Sequence, residues 1–341
     1  MEIGEGRQER AERARQPMGL NRLPGMQFHR LMGYLSGLTG LAALLLSFST
    51  HYNGALTRFF VFPIAIGFVV AVVLPIAWAF QKWRHEHLPV ALELTMTAVW
   101  VAIMWALASI LLQAAALTPF ALADTTLANI DRRFLIQTVT VVHWISNYPV
   151  VRSLFRVAYA ALDPLTILAF ALPILCGRPE HSRRFLVAVS FSLLLTIGLF
   201  AVCPAIGPWT VEGYTPSKNQ ALVGSYLTAL KSGGASRLGE LDGIVAFPSF
   251  HTVLATLAGV TLWRNRKRRW VTAALAVGVC ISTITTGWHY CIDVLGGIAV
   301  AVLSLTAAAK VLAAVAVPPG YLWVQGRLAQ VEALQFRSED S

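Results

Sequence analysis

Residues 185–203 read FLVAVSFSLLLTIGLFAVC and contain no charged side chain. A run of this length is close to the roughly 20 apolar residues that a helix needs to cross a bilayer, and it exceeds the roughly 10 residues of a barrel strand. The chain contains eight such runs, at approximately 31–50, 59–80, 90–117, 154–176, 185–203, 248–263, 270–286 and 291–317. The sequence therefore predicts an all-α integral membrane protein with about eight transmembrane helices.

Composition and charge distribution support this prediction. Hydrophobic residues make up 56% of the chain and charged residues 13%, about half of the roughly 25% that is typical of soluble domains. With the N-terminus inside, the inner segments hold 18 Lys and Arg residues and the outer segments hold 8, as the positive-inside rule requires. The net charge of +10 is therefore a topology signal, and we expect no nucleic-acid partner.

Two outer segments connect the predicted spans. The first, at about 118–153, has the polar content of an amphipathic helix lying in the headgroup region. The second, from Cys203 to Ala246, is a long polar loop that carries Lys218, Lys231 and Arg237. Loops of this length usually carry function or are mobile.

The pair Asp163-Pro164 falls inside the fourth predicted span and has two interpretations. If the helix breaks there, Asp163 is an N-cap and Pro164 occupies the first helical position, which is a structural pairing. If the span runs through, Asp163 is an intramembrane acid, and such residues are candidates for function.

The stretch AFPSFHTVLATLAG, residues 246–259, places polar residues at the head of an apolar helix. Pro248 suits the first turn, where no backbone N–H is needed. The free N–H groups near Ser249 and His251 lie at the positive end of the helix dipole, which favours an anion. The pattern therefore predicts a site for a phosphate-like group.

A second polar stretch, TGWHYCIDVLGG at residues 286–297, contains a histidine and an acid. His289 and Asp293 are spaced i, i+4, so within a helix they share one face. A carboxylate beside an imidazole fixes its tautomer and leaves the other ring nitrogen free to attack or to accept a proton.

Topology brings the two stretches together. The sixth span starts outside with His251 and the seventh returns to deliver His289 outside, so both histidines are predicted at the same membrane level. Three other interpretations of these residues remain open: a hydrogen-bonding role between helices, a metal site formed by His251, His289 and Asp293, and a Ser249–His289 dyad. The dyad is disfavoured because no Gly-x-Ser-x-Gly elbow is present.

At these motifs the sequence resembles the type-2 phosphatidic acid phosphatase superfamily. Residues 247–251, FPSFH, are similar to its Pro-Ser-x-His motif, and residues 287–293, GWHYCID, to its His-x-x-x-Asp motif. The second motif, with its His-Tyr pair and its Asp-Val-x-Gly-Gly run, is similar to that of the inositolphosphotransferase-like branch, which includes inositol phosphorylceramide synthases. The resemblance implies a six-helix catalytic core at 90–317. It leaves 31–89 as an accessory transmembrane pair, between a disordered cytosolic tail at 1–30 and a cytosolic C-terminal tail at 318–341.

The resemblance also implies roles for single residues. His289 is expected to be the nucleophile that forms a phospho-histidine, with Asp293 orienting it. His251 is expected to protonate the leaving oxygen and then to act as base for the acceptor, while Ser249 and adjacent amides hold phosphate oxygens. The implied substrate is a lipid phosphate or phospholipid, and no metal or cofactor is implied. We expect a multi-pass protein of a bacterial inner membrane, with the site facing the periplasm.

The sequence departs from the family pattern at its cationic positions. The phosphatases place Ser-Arg seven and six residues before the nucleophile, whereas the chain has Ser282 and Thr283. The earlier Lys-x6-Arg-Pro motif is also missing, because position 171 is alanine and Arg178 is predicted in the cytosol. We therefore expect Lys218, Lys231 or Arg237 to balance the phosphate charge, with Arg237 favoured because it is closest in sequence to Pro248.

These losses favour a transferase over a simple monoester phosphatase, although water and a lipid hydroxyl both remain possible acceptors. The alternative from another functional class is a lipid transporter or flippase that binds its cargo through the same polar residues without reacting. The sequence does not specify an oligomeric state.

Overall fold

The protein is described by a computed structural model that covers residues 25–50, 88–135, 137–232, 245–263 and 269–316. Every regular element within these ranges is a helix. The helices are α1 (Gly25–Ser49), α2 (Leu88–Ala116), α3 (Asp124–Arg133), α4 (Thr138–Ser146), α5 (Pro149–Ala160), α6 (Leu162–Leu175), α7 (Pro179–Val202), α8 (Trp209–Glu212), α9 (Lys218–Lys231), α10 (Phe250–Trp263), α11 (Arg269–Thr285) and α12 (Cys291–Ala316).

Helix α7 is the centre of the bundle. It packs against α2, α6, α10 and α12, and its residues from Phe185 to Val189 are all buried. Two of its buried serines are satisfied within the helix, since Ser190 donates to the carbonyl of Leu186 at 2.9 Å and Ser192 to that of Val189 at 2.8 Å. A helix that is apolar on every side is stable only when neighbours cover it, which explains its position.

An ion pair fixes one end of the bundle. Arg183, near the start of α7, donates from Nε and from one terminal nitrogen to the two carboxylate oxygens of Glu93 on α2, at 2.6 and 2.7 Å. Such bidentate pairs are strong and directional. The two helices are therefore joined at the end of the bundle opposite to the histidines described below.

The apolar helices agree with the prediction of a membrane protein. Within the described ranges, five helical stretches are long and apolar enough to cross a bilayer, and α10 and α11 are shorter apolar helices. The second predicted span, 59–80, lies outside the described residues. The helical class and the membrane location are therefore confirmed, while the count of eight spans stays a prediction.

The fourth span differs from its predicted bounds of 154–176. The apolar helical stretch runs over Pro149–Leu175, with a turn at Ala161 between α5 and α6. The sequence placed its start too late because the polar pair Arg152-Ser153 precedes the predicted start at residue 154. Arg152 and Arg156 lie on the polar side of α5, where Pro149 opens the helix.

The described part of the long loop predicted between Cys203 and Ala246 contains two helices, α8 and α9. Helix α9 begins with a capping box, in which Ser217 accepts from the backbone N–H of Gln220 and Gln220 accepts from that of Ser217. Val223, Leu227 and Leu230 then bury one side of α9. The sequence prediction of a long polar loop did not include these helices, although the Ser-x-x-Gln signature at Ser217 is typical of a helix start. Arg237 lies outside the described residues.

Candidate active site

The two histidines of the sequence motifs meet in the structure. Their ring centroids are 5.9 Å apart, with the planes at 58°. His251 is the second residue of α10, and His289 lies in the turn between α11 and α12. The prediction that topology brings both to one level is confirmed, and the pair is placed by three helix ends.

The hydrogen bond at His289 determines its tautomer. Its Nδ1 lies 2.9 Å from the carbonyl oxygen of Ala246, and because a carbonyl only accepts, Nδ1 carries the hydrogen. The lone pair on Nε2 is therefore available. His289 is 3% exposed, and burial lowers its pKa to about 4. The ring is neutral at neutral pH, which is the form a nucleophile needs.

Asp293 reaches His289 in a way that the sequence did not predict. Helix α12 begins only at Cys291, so the two residues do not share a helix face. Asp293 folds back over the helix start: its Oδ2 accepts from the N–H of Tyr290 at 2.8 Å and lies 3.4 Å from Nδ1 of His289. Its Oδ1 is buried without a hydrogen-bond partner in the described part of the chain. Ala246 is thus the closer partner of Nδ1, and Asp293 is the second.

The turn that carries His289 is held from the side by the loop after α7. Gly287 has φ +75°, and a Cβ there would lie 2.8 Å from the hydroxyl oxygen of Tyr214, so only glycine fits. Its carbonyl accepts from that hydroxyl at 2.7 Å and from Nε2 of Gln220 at 2.9 Å. Both donors belong to the segment that was predicted to be a long polar loop.

Two aspartates of α3 hold the other side of the turn. Asp131 accepts from the backbone N–H groups of Cys291 at 2.6 Å and Ile292 at 2.9 Å, so it caps α12 from another helix. Burial raises the pKa of Asp131, and these two donors partly oppose that effect.

Asp124 makes similar contacts two helical turns earlier on the same face of α3. It accepts from the N–H groups of Ile206 and Gly207 and from the hydroxyl of Tyr290. The sequence reasoning gave Asp124 and Asp131 no role. Their spacing of i, i+7 on a short helix, with Leu127 and Ala128 buried beside them, was the available signal.

The start of α10 differs from the prediction in one position. The helix begins at Phe250, so Pro248 precedes it and Ser249 is the capping residue. Ser249 is fully buried; its hydroxyl accepts from Oγ1 of Thr252 at 3.2 Å, and its N–H donates to the carbonyl of Asp293 at 3.0 Å. The geometry thus engages the hydroxyl and the N–H of Ser249 in holding the start of α10.

A glycine lets these two segments touch. A Cβ at Gly297 would lie 2.6 Å from the carbonyl oxygen of Ser249, a distance that no side chain tolerates. The Gly-Gly pair of the second motif therefore allows α12 to pack directly against the start of α10.

A cavity of about 410 Å³ opens beside His251 between α2, α6, α7 and α10. Most of its lining is apolar, including Trp105, Leu112 and Leu254, and its polar members include Asp163 and His251. The N-cap interpretation of Asp163 was wrong: α6 starts at Leu162 behind Ala161, and no side chain caps it. Asp163 is instead an acid within a membrane span.

The predicted cations lie in different places. Lys231 donates to the carbonyls of Thr118 and Phe120 at 3.0 and 3.1 Å, beyond the last residue of α2, and is engaged there. Lys218 is exposed at the first turn of α9, two residues before Gln220, whose side chain bonds the His289 turn. Arg237 is not among the described residues, so its predicted role stays a prediction.

The described residues contain no group of three or more His, Cys, Asp or Glu side chains arranged to hold a metal ion. In the proposed ligand set of His251, His289 and Asp293, one ring nitrogen of His289 already donates to Ala246. This arrangement does not favour the metal interpretation.

A family model of the PAP2 superfamily, the type-2 phosphatidic acid phosphatases, matches residues 125–307. The match covers more than half of the chain and includes both histidines, Asp293 and Asp131 of α3. The chain belongs to this superfamily. Comparison with curated proteins and with solved structures finds no match. As a member of the superfamily the protein is a membrane enzyme of the phosphatase or phosphotransferase type.

Proposed function

We propose that the protein cleaves a phosphoester of a lipid through a phospho-histidine on His289, at the outer face of the membrane. One observation carries the proposal: a neutral His289, with Nδ1 bonded to Ala246 and Nε2 left available, lies 5.9 Å from a second imidazole. A nucleophile beside a proton donor is the arrangement that a two-step displacement needs.

In the first step, Nε2 of His289 attacks phosphorus, and the bond between phosphorus and the leaving alcohol oxygen breaks. His251 gives its proton to that oxygen. In the second step, His251 takes a proton from water or from a lipid hydroxyl, whose oxygen attacks phosphorus and breaks the P–N bond. His289 leaves in its original form, so one site serves as phosphatase or phosphotransferase according to the acceptor.

The cavity supports a lipid as the substrate. It lies among apolar membrane helices, and its walls of Trp105, Leu112 and Leu254 fit a hydrocarbon chain. Because His251 forms part of the same wall, a lipid whose tail enters the cavity places its phosphate near the histidines.

The negative charge of the phosphate requires a cation near the site. Two of the described residues are candidates. Lys218 lies between Tyr214 and Gln220, which bond the turn that carries His289. Arg156 lies one helical turn before Tyr159, whose ring stacks on His251 with centroids 4.6 Å apart. Residues three apart share a helix face, so Arg156, which is exposed, is directed toward the same side. We propose Arg156 and Lys218 as phosphate-binding residues, beside Arg237 from the predicted set.

A panel of lipids assayed with purified protein in nanodiscs tests the proposal. We expect release of phosphate from phosphatidic acid, or transfer of a phosphoryl-containing headgroup from a phospholipid to a lipid hydroxyl. The His289→Gln variant serves as the blank. If the wild-type protein moves labelled lipid between leaflets while no phosphoester is cleaved, the transporter alternative is correct and the proposal is wrong.

A further inference from the structure

Asp163, the acidic residue in the fourth span, has no oppositely charged partner among the described residues. Within the described residues, Asp163 forms neither a hydrogen bond nor an ion pair. A carboxylate in a membrane helix is costly unless it faces a cavity and serves a purpose there. Asp163 does face a cavity, and His251 lies on the same wall.

The neighbouring turn of the helix already touches His251. The ring of Tyr159 stacks on the imidazole with centroids 4.6 Å apart and planes at 29°. Asp163 follows Tyr159 by four residues, across the turn at Ala161, where the backbone bond from Leu165 N–H to the Ala161 carbonyl continues the helical path. Residues spaced i, i+4 present their side chains to the same side.

We propose that Asp163 is a positioning residue for His251, whose carboxylate stabilises the imidazolium form of that ring. His251 and Asp163 then form a second acid–imidazole pair, across the site from Asp293 and His289. The inference rests on the proposed function, in which His251 donates a proton to the leaving oxygen, and it adds the group that supplies the charge needed to hold that proton.

Among the residues that line the cavity with His251, Asp163 is the carboxylate. Helix α10 packs against α6, α7, α11 and α12. From the α5–α6 side, Tyr159 and Asp163 face the ring; from the α12 side, His289 faces it with Asp293 behind. On α11, Cys280 is directed to the hydroxyls of Thr252 and Thr256, and Arg269 lies at the other end of the helix over the rings of Trp263 and Trp270.

The cavity wall from α2 and α7 adds only neutral side chains, namely Trp105, Ser109 and Thr196 among others. Asp293 itself contacts the Nδ1 side of His289, so it does not serve His251 directly. Asp293 is therefore assigned to His289, and Asp163 to His251.

The pH dependence of kcat/KM tests this pair. In the Asp163→Asn variant, the amide keeps the shape but loses the charge, so His251 holds its proton only at lower pH. We expect the alkaline limb of the profile to move down by about one pH unit or more, and kcat/KM at pH 8 to fall at least about tenfold. At pH 5 the variant should recover to within about threefold of wild type.

Two variants control this experiment. Asp163→Glu keeps the charge and should restore most of the activity at pH 8. Glu180→Gln removes an acid from the first turn of α7, at the opposite end of the bundle, and should leave the profile unchanged. A uniform loss at every pH in Asp163→Asn, not rescued by Asp163→Glu, means that Asp163 is merely structural and overturns the proposal.

A second measurement does not depend on turnover. The imidazole signals of ¹⁵N-histidine-labelled protein in nanodiscs are titrated, with the His251 signal assigned by its loss in His251→Gln. The midpoint for His251 should lie lower in Asp163→Asn than in wild type, and an unchanged midpoint overturns the pair. If the midpoint shifts while no lipid in the panel reacts, the pair stands and the proposed function fails.

Discussion

The two histidines of the site are held in opposite ways. His289 is nearly fully buried, its Nδ1 is bonded to a carbonyl, and its turn is fixed by Asp131, Tyr214 and Gln220. His251 borders a cavity, stacks on Tyr159, and forms no side-chain hydrogen bond within the described residues.

This difference matches the two chemical tasks. A nucleophile gains from a fixed orientation, because misplacement by about 1 Å costs as much as a hundredfold in rate. A residue that gives up one proton and collects another must reach both the leaving group and the acceptor. The rigid side of the site therefore suits attack, and the side open to the cavity suits proton transfer.

Removing the ring on the rigid side should have the largest effect. We expect His289→Gln to lower turnover at least about a thousandfold, since a nucleophile has no substitute. Because His289 is 3% exposed, thermal unfolding must be measured alongside activity.

A variant that folds and keeps more than a few per cent of wild-type turnover removes His289 from the nucleophile role.

The support of the rigid side is tested at Asp131. Asp131→Ala leaves the N–H groups of Cys291 and Ile292 without acceptors, and each such buried group costs about 1–3 kcal/mol. We expect kcat to fall about 10- to 100-fold, because the adjoining His289 turn loses its fixed geometry. Asp131→Asn keeps one carbonyl oxygen and should lose less.

Arg132 on the same helix is the matched control, since it is exposed and bonds only Asn129 among the described residues. Arg132→Ala should match wild type in kcat. Equal effects at both positions mean that α3 does not position the site.

Removing either of two cationic side chains, Arg156 or Lys231, should have a smaller effect, and the two variants should differ in whether KM or the unfolding temperature changes. Arg156→Ala should raise KM and lower kcat/KM about tenfold, as expected for a lost charge-assisted contact to phosphate, with Arg156→Lys restoring part of it. Lys231→Ala should lower the unfolding temperature and leave KM unchanged, because Lys231 bonds two backbone carbonyls. The reverse pattern returns the phosphate-binding role to Lys231.

The smallest effect is expected on the open side, at Tyr159. Tyr159→Phe keeps the ring that stacks on His251 and should stay within about twofold of wild type, while Tyr159→Leu should lose about fivefold. Aromatic contacts of this kind contribute about 0.5–1.5 kcal/mol, which sets that range. A large loss in Tyr159→Phe, measured at saturating substrate, means that the hydroxyl itself takes part in the reaction.

The sequence was sufficient for the class of fold and for the central pair. Apolar length predicts membrane helices directly, and the number of crossings between His251 and His289 fixes whether they meet. The Pro-Ser-x-His and His-x-x-x-Asp motifs then identify the family. These are short-range or counting arguments, which need no knowledge of packing.

The sequence was not sufficient for the residues that hold the pair. Asp131 is 160 positions from Cys291, and Tyr159 is 92 positions from His251, so their contacts depend on tertiary packing. The position of Asp163 was ambiguous for a related reason, since Asp-Pro is also a good helix start. The local sequence pattern favoured an N-cap role for Asp163. The packing of α6 against α10 places Asp163 in the wall of the cavity instead.

The central claim is that His289 becomes covalently phosphorylated. Protein in nanodiscs is mixed with ³²P-phosphatidic acid or ³²P-labelled phospholipid, quenched in alkali, and digested for mass spectrometry of the peptide that contains residues 286–297. We predict an acid-labile, alkali-stable label on His289. The label should accumulate in His251→Gln if release of the phosphoryl group from His289 is slower in that variant than its formation. It should be absent in His289→Gln. Turnover of the same lipid by wild type, with no label on His289 at any quench time and none in His251→Gln, contradicts the account.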